Sequence, residues 1–158
     1  LKPEFLDESK NIDLTVNWYD NEGRRVDVSG LTQGKEFWAR ITVQRPAANR
    51  IFMEELALTQ MIPSGWEIIN TRLTGEENPW WMRQFSMGSF DYMDIRDDRV
   101  SWFFDMPSYT SSLDFVFKVQ AVTAGTFFLP PTSAEAMYRK EDYYAVLGGQ
   151  HITVKERK

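Results

Sequence analysis

Two stretches of apolar alternation, in residues 100–106 and 113–122, limit the fold of this chain more than anything else in it. Val100, Trp102 and Phe104 share one parity, with Ser101, Phe103 and Asp105 on the other. Side chains on a β-strand alternate between its two faces, so a period of two rich in aromatic residues reads as a strand. Leu113, Phe115, Phe117, Val119 and Ala121 repeat the pattern. The polar stretch 108–112 separates the two runs, and the spacing predicts a hairpin at the centre of an all-β domain. Just upstream, residues 94–99 carry five charges.

The remainder of the chain has the same grammar. Residues 1–10 read as a polar lead-in. Ile12, Leu14, Val16 and Trp18 alternate with polar neighbours, and Asp20-Asn21-Glu22-Gly23 supplies turn chemistry. Residues 27–34 read as a loop, and Phe37, Ala39, Ile41 and Val43 mark a second strand, stopped by Arg45-Pro46. Residues 51–62 contain good helix formers. Phe52, Leu56, Leu58 and Ile62 nevertheless fall on one parity, and in this context the segment is read as a strand. Residues 66–73 read as extended. Asn78-Pro79, followed by WWMRQFSMG, predicts a short helix over 79–87, with Asn78 as N-cap and Trp81 and Phe85 on one face. Short strands are expected at 127–129, 133–137 and 151–155, with a long loop over 138–147. The sum is an Ig-like antiparallel β-sandwich of about seven to nine strands forming a single domain over 1–158.

Composition removes several classes of function. The net charge is −5, so no basic stripe exists for a phosphate backbone, and no nucleic acid partner is expected. There is no cysteine, hence no disulfide, thiolate metal site or cysteine nucleophile. No apolar run approaches the ~18 residues of a membrane-spanning helix, and no membrane contact by this chain is expected. The chain starts at Leu1 rather than Met, which raises the expectation of an excised fragment or processed product. Aromatic residues make up 15%, with six Trp, suiting either a stacking surface or a core of large side chains.

Asp94, Asp97 and Asp98 have the oxygen ligands calcium needs, but Arg96 and Arg99 are interleaved among them and the EF-hand positions are unmet. Ion pairs are the expected use of all five. His151 is the only histidine, and no G-x-S-x-G accompanies it for a triad. With 23 acidic residues, pairing carboxylates for glycoside hydrolysis has no discriminating power. No cofactor or metal is therefore expected, and no catalytic residue. Exposed Trp66, Trp80 or Trp81 would suit a carbohydrate-binding sandwich instead.

Five segments, in order, resemble one family. WYDNEGRRVDVSGLTQGKEFWARITV at 18–43, PSGWEIINTRL at 63–73, YMDIRDDRV at 92–100, FFLPPTSAEAMY at 127–138 and GGQHITV at 148–154 are similar to the C-terminal macroglobulin-like domain of bacterial alpha-2-macroglobulins. The Trp-rich insert at 79–87 and the Tyr-rich stretch 140–147 depart from that pattern. The resemblance implies a non-catalytic domain of a much larger protease inhibitor. In that family the last domain packs against or shields a thioester-like domain, and the whole molecule traps proteases by rearranging. It also implies an extracytoplasmic, periplasmic location, with the longer protein lipid-anchored in some members. The expected partners are other domains of that longer chain, and target proteases through it. On this reading Asp94, Arg96, Asp97, Asp98, Arg99, Glu135 and Tyr138 are the candidate interdomain-contact or ion-pair residues.

Overall fold

The computed structural model describes residues 6–46, 51–75 and 77–158. The first five residues of the expected lead-in lie outside them. Among the described residues thirteen strands form three sheets. They are β1 (Glu8–Lys10), β2 (Asp13–Tyr19), β3 (Gly30–Thr32), β4 (Glu36–Gln44), β5 (Met53–Met61), β6 (Trp66–Ile69), β7 (Tyr92–Ile95), β8 (Arg99–Met106), β9 (Ser112–Ala121), β10 (Gly125–Leu129), β11 (Thr132–Ala136), β12 (Tyr144–Leu147) and β13 (Gln150–Lys155). A six-stranded sheet, ordered β1-β12-β11-β5-β8-β7, faces a four-stranded sheet, β2-β4-β9-β6. A smaller sheet, β10-β13-β3, contains one parallel pairing, β13 with β3, where an antiparallel sandwich was expected. The strands outnumber the expectation because β1, β3 and β12 are too short to show a period in the sequence.

The predicted central hairpin is replaced by a crossing between sheets. β8 pairs with β5 and β7, whereas β9 pairs with β4 and β6. Their apolar faces meet across the core rather than lying side by side. Trp102 contacts Phe115 and Phe117 at centroid distances of 5.6 and 5.9 Å, and Phe104 meets Phe115 at 4.6 Å. Each run is apolar enough to be the middle of its own sheet, and stacking two such faces buries both. A second aromatic knot, Trp18, Phe37 and Trp66, closes the other end of the core. The nearest tight hairpin is β7–β8, which reverses at Asp97-Asp98 with the Arg96 N–H donating to the Arg99 carbonyl at 2.9 Å. Within residues 51–62, Met53–Met61 are strand, with Leu56 and Leu58 fully buried. Tertiary burial has overridden their helix propensity.

Between β6 and β7 the chain makes one helical turn, Thr71–Thr74, and then a 3₁₀ turn, Trp80–Gln84. Here Pro79 takes the capping position and no side chain caps the turn, so the expected Asn78 cap does not form. Trp81 and Phe85 do share a face, 6.0 Å apart, and lie on the outer surface of the four-stranded sheet against Tyr19. Gly23 admits this approach: a Cβ there would sit 2.7 Å from the Trp81 ring.

This strap is anchored on Asp114. The Asp114 carboxylate, 2% exposed, accepts from Arg40 Nη2 at 2.9 Å, Thr42 Oγ1 at 2.6 Å and the Ser86 N–H at 2.9 Å. Arg40 in turn lies 3.8 Å from the Phe85 ring centroid. Burial pushes the Asp114 pKa up, but the hydrogen bonds from Arg40, Thr42 and Ser86 more than reverse this and hold it below the ordinary carboxylate value. A depressed folded-state pKa stabilises the protein above the unfolded-state value of ~3.9, and that contribution is lost as pH falls through the folded-state value. Asp114→Asn should therefore cost about 2 kcal/mol at neutral pH and flatten the acid limb of the stability curve. Urea titrations at several pH values check this; an unchanged acid limb would contradict it. Trp102→Ala should cost ~3–5 kcal/mol as a core truncation. Trp80→Ala, at a ring 72% exposed, should stay within ~0.5 kcal/mol in the same assay.

Candidate interaction site

One end of the sandwich is built around an irregularity in β5. The register of β5 on β8 shifts between Met53 and Leu56, where Glu54 and Glu55 bulge outward. Glu55 sits at φ 56°, the left-handed region that side-chain-bearing residues seldom occupy. Its backbone is held from two sides. Asp105 Oδ1 accepts the Glu55 N–H at 2.9 Å, and the Glu55 carbonyl accepts the Met137 N–H at 2.9 Å. Bulges re-aim the strand that carries them and recur beside functional sites. This one fixes the start of the connection between β11 and β12.

That connection is shorter and better ordered by contacts than the long loop expected over 138–147, because residues 144–147 are β12. The Ala136 N–H donates to the Tyr143 carbonyl, and the N–H groups of Asp142 and Tyr143 donate to the Arg139 carbonyl. Tyr143 is buried, with the Arg139 guanidinium 4.9 Å above its ring. From the flank, Asn11 Nδ2 donates to the Asp142 carbonyl at 2.8 Å and Lys10 lies 3.6 Å from the Asp142 carboxylate. The consequence is a fixed platform that holds Met137 and Tyr138 outward, 45% and 81% exposed. Phe52, Met53, Glu54, Tyr138, Arg139 and Tyr143 line an adjoining hollow of about 250 Å³. Large exposed apolar side chains on a rigid support are what a protein contact uses, since little ordering remains to be done on binding.

The sequence-derived candidates separate into two groups. Asp94, Arg96, Asp97, Asp98 and Arg99 occupy the β7–β8 hairpin at the opposite end of the six-stranded sheet. Asp94 pairs with Arg96 at 2.9 Å and Asp98 with Arg99 at 3.1 Å, both within the hairpin, and Asp97 is exposed at its tip. The hydrogen bonds from Arg99 hold the Asp98 carboxyl below its usual value. At an exposed surface such pairs contribute little to stability. Arg99 is level with Met61 of β5, six residues from Glu55. The two groups are therefore roughly 20 Å apart along the strand, at ~3.3 Å per residue, and form no common site. Glu135 is exposed on β11, beside the Tyr138 end. What sequence reading did not single out was Glu55, Asp105, Tyr143 and Phe52. A left-handed Glu leaves no mark in the sequence, whereas the clustered tyrosines of residues 138–144 were visible.

A row of tryptophans for sugar stacking is not assembled. Trp66 is buried in the core knot, and Trp81 packs on Tyr19 while donating to the Asn21 carbonyl at 3.0 Å, leaving Trp80 as the open ring of the three. His151 lies on β13 with its ring edge against Phe128. Among the described residues no three His, Cys, Asp or Glu side chains converge as for a metal ion, and no helix is long and apolar enough to cross a membrane.

Known structures share this sandwich. Native alpha-2-macroglobulin from Escherichia coli superposes with a TM-score of 0.81 at 18% identity, over 95% of this chain and 10% of that one. Salmonella alpha-2-macroglobulin reacted with methylamine gives 0.77 at 22% identity, with the same coverage. Among curated sequences, an alpha-2-macroglobulin homolog of Yersinia pestis is 24% identical over 162 residues, 92% of this chain and 8% of its own length. An alpha-2-macroglobulin of Xylella fastidiosa is 27% identical over 131 residues, 77% of this chain and again 8% of its own length. Residues 12–141 match the bacterial alpha-2-macroglobulin MG10 domain, and the chain belongs to that family. It is a macroglobulin-type β-sandwich spanning less than a tenth of the length of those curated relatives.

The geometry at Glu55 makes a prediction. A left-handed backbone costs a side-chain-bearing residue ~1 kcal/mol or more, close to the ~0.5–1 kcal/mol that glycine adds in chain entropy. Glu55→Gly should thus change stability by less than ~0.5 kcal/mol, whereas the β-branched Glu55→Val should cost at least ~1 kcal/mol. Thermal and urea unfolding compare the two; a large loss in the glycine variant would contradict the assignment.

Proposed function

We propose that this chain is the non-catalytic C-terminal macroglobulin-like domain of a longer bacterial alpha-2-macroglobulin-like protease inhibitor. In this reading it packs against the thioester-like domain of that protein and shields it, contributing contact surface to conformational trapping of proteases. The observation that carries the reading is the pinned connection between β11 and β12, which spends buried side chains and backbone bonds on presenting Met137 and Tyr138 to the outside. A loop that served only to join two strands would need neither. Without cysteine the chain has no thioester of its own, so covalent chemistry belongs to other domains.

Structural relatives support the setting. One solved Escherichia coli alpha-2-macroglobulin is described as activated by porcine elastase and another as trypsin activated, so those proteins respond to proteases. We place the longer protein outside the cytoplasm, in the periplasm and lipid-anchored. There the partners of this domain are the neighbouring domains, and proteases are met by the whole molecule.

Tyr138→Ala in the full-length protein tests this. Truncating a central aromatic anchor typically costs an interface 2 kcal/mol or more. The temperature at which this domain separates from its neighbour should fall, followed by calorimetry of the whole molecule. The Tm of the separate 158-residue domain should stay the same, because Tyr138 is 81% exposed. An unchanged transition in the full-length protein would refute docking through this end.

A further inference from the structure

On the other side of the Glu55 bulge lies a second hollow, of about 350 Å³, between the chain entering β7 and the turn after β8. Its volume falls at the small end of the ~300–1,000 Å³ typical of ligand clefts. Met87, Phe90, Tyr109 and Leu113 supply apolar and aromatic wall, and Asp91 and Asp105 supply two carboxylates. Phe90 is 42% and Tyr109 85% exposed, so both rings are accessible to a visitor. No lysine or arginine among the described residues lines the hollow. Among the described residues no ion pair engages Asp91 or Asp105, although one Asp105 oxygen holds the Glu55 N–H. The buried Arg45 guanidinium donates to the carbonyls of Ile51, Met106 and Pro107.

We infer that this hollow receives an arginine side chain from a protein partner. Charge complementarity selects a cation, since two carboxylates face the hollow and no positive side chain among the described residues lines it. The aromatic walls select its form. A guanidinium is planar, stacks on ring faces and forks to carboxylates, and it is less strongly hydrated than an ammonium. The apolar floor from Met87 and Leu113 suits the methylene stem that carries the charge. Because Asp105 also fixes the Glu55 bulge, an arginine seated here would meet the same structural element that positions Met137. The inference concerns this hollow alone and stands whether or not Tyr138 docks onto a neighbouring domain.

Titration of the 158-residue protein with N-acetyl-arginine methylamide, followed by ¹H–¹⁵N NMR, tests it. Chemical-shift changes should concentrate on the amides of Phe90, Asp91, Asp105 and Tyr109. They should be smaller with the lysine analogue and absent with the isosteric, uncharged citrulline analogue. Asp91→Asn and Asp105→Asn should each weaken the arginine response at least fivefold; the second keeps an oxygen for the Glu55 N–H, so the bulge is retained. Shifts spread over the acidic surface, a citrulline response matching arginine, or no response at all would overturn the inference. A lysine response equal to that of arginine would overturn the choice of guanidinium.

Discussion

The contact on which the whole architecture depends is the stacking of Trp102 and Phe104 on Phe115 and Phe117 across the sandwich. β8 and β9 are consecutive strands, yet the short polar connection between them passes from one sheet to the other. That passage commits six strands to one layer and four to the other. It also sets which residues fall at each end. Met106 opposite Met53, and the turn after it, place Asp105 where it can reach the Glu55 backbone. A hairpin in place of the crossing would have put both aromatic faces on the same sheet and left them without a partner.

From this frame the proposed contact surface follows by steps that are each local. β5 needs one extra residue to stay in register with β8, and the bulge at Glu54 and Glu55 absorbs it. The reoriented Glu55 carbonyl then takes the Met137 N–H, and buried Tyr143 closes the far side of the connection. Met137 and Tyr138 are left outside because everything around them is tied down. Their exposure is the result of backbone hydrogen bonds and one buried ring, with the Lys10–Asp142 ion pair on the flank. Of the five charges at residues 94–99, prominent in the sequence, four are by contrast paired among themselves at the other end of the sheet, with Asp97 exposed at the tip. They act as a solvated hairpin tip.

Fold class was legible because period-two alternation survives along the long strands outside the β5 bulge, as at Ile12 to Trp18 and Phe37 to Val43. Strand pairing was not. Alternation says which face of a strand is apolar and is silent on whether its neighbour in sequence lies beside it or above it, which is why the β8 and β9 hairpin was expected. Three-residue strands such as β1 and β3 carry too few residues to show a period. Asp114 was also hidden, since an acidic residue on the outer face of a strand reads as solvent-facing until the strap that covers it is seen. Of the proposed contact end, Tyr138 and Glu135 were named as candidates through the ordered family resemblance. The left-handed Glu55 that aims them is a backbone property with no residue signature, unlike Gly23, where the need for a glycine is plain.

The central claim is that residues 137–143 form a rigid platform whose exposed side chains are covered in the longer protein. Hydroxyl-radical footprinting of Met137 and Tyr138, read by mass spectrometry, addresses it most directly. Both side chains should be oxidised readily in the separate domain and strongly protected in the intact full-length molecule. Equal labelling in the two would show that this end meets nothing, and the account would fail.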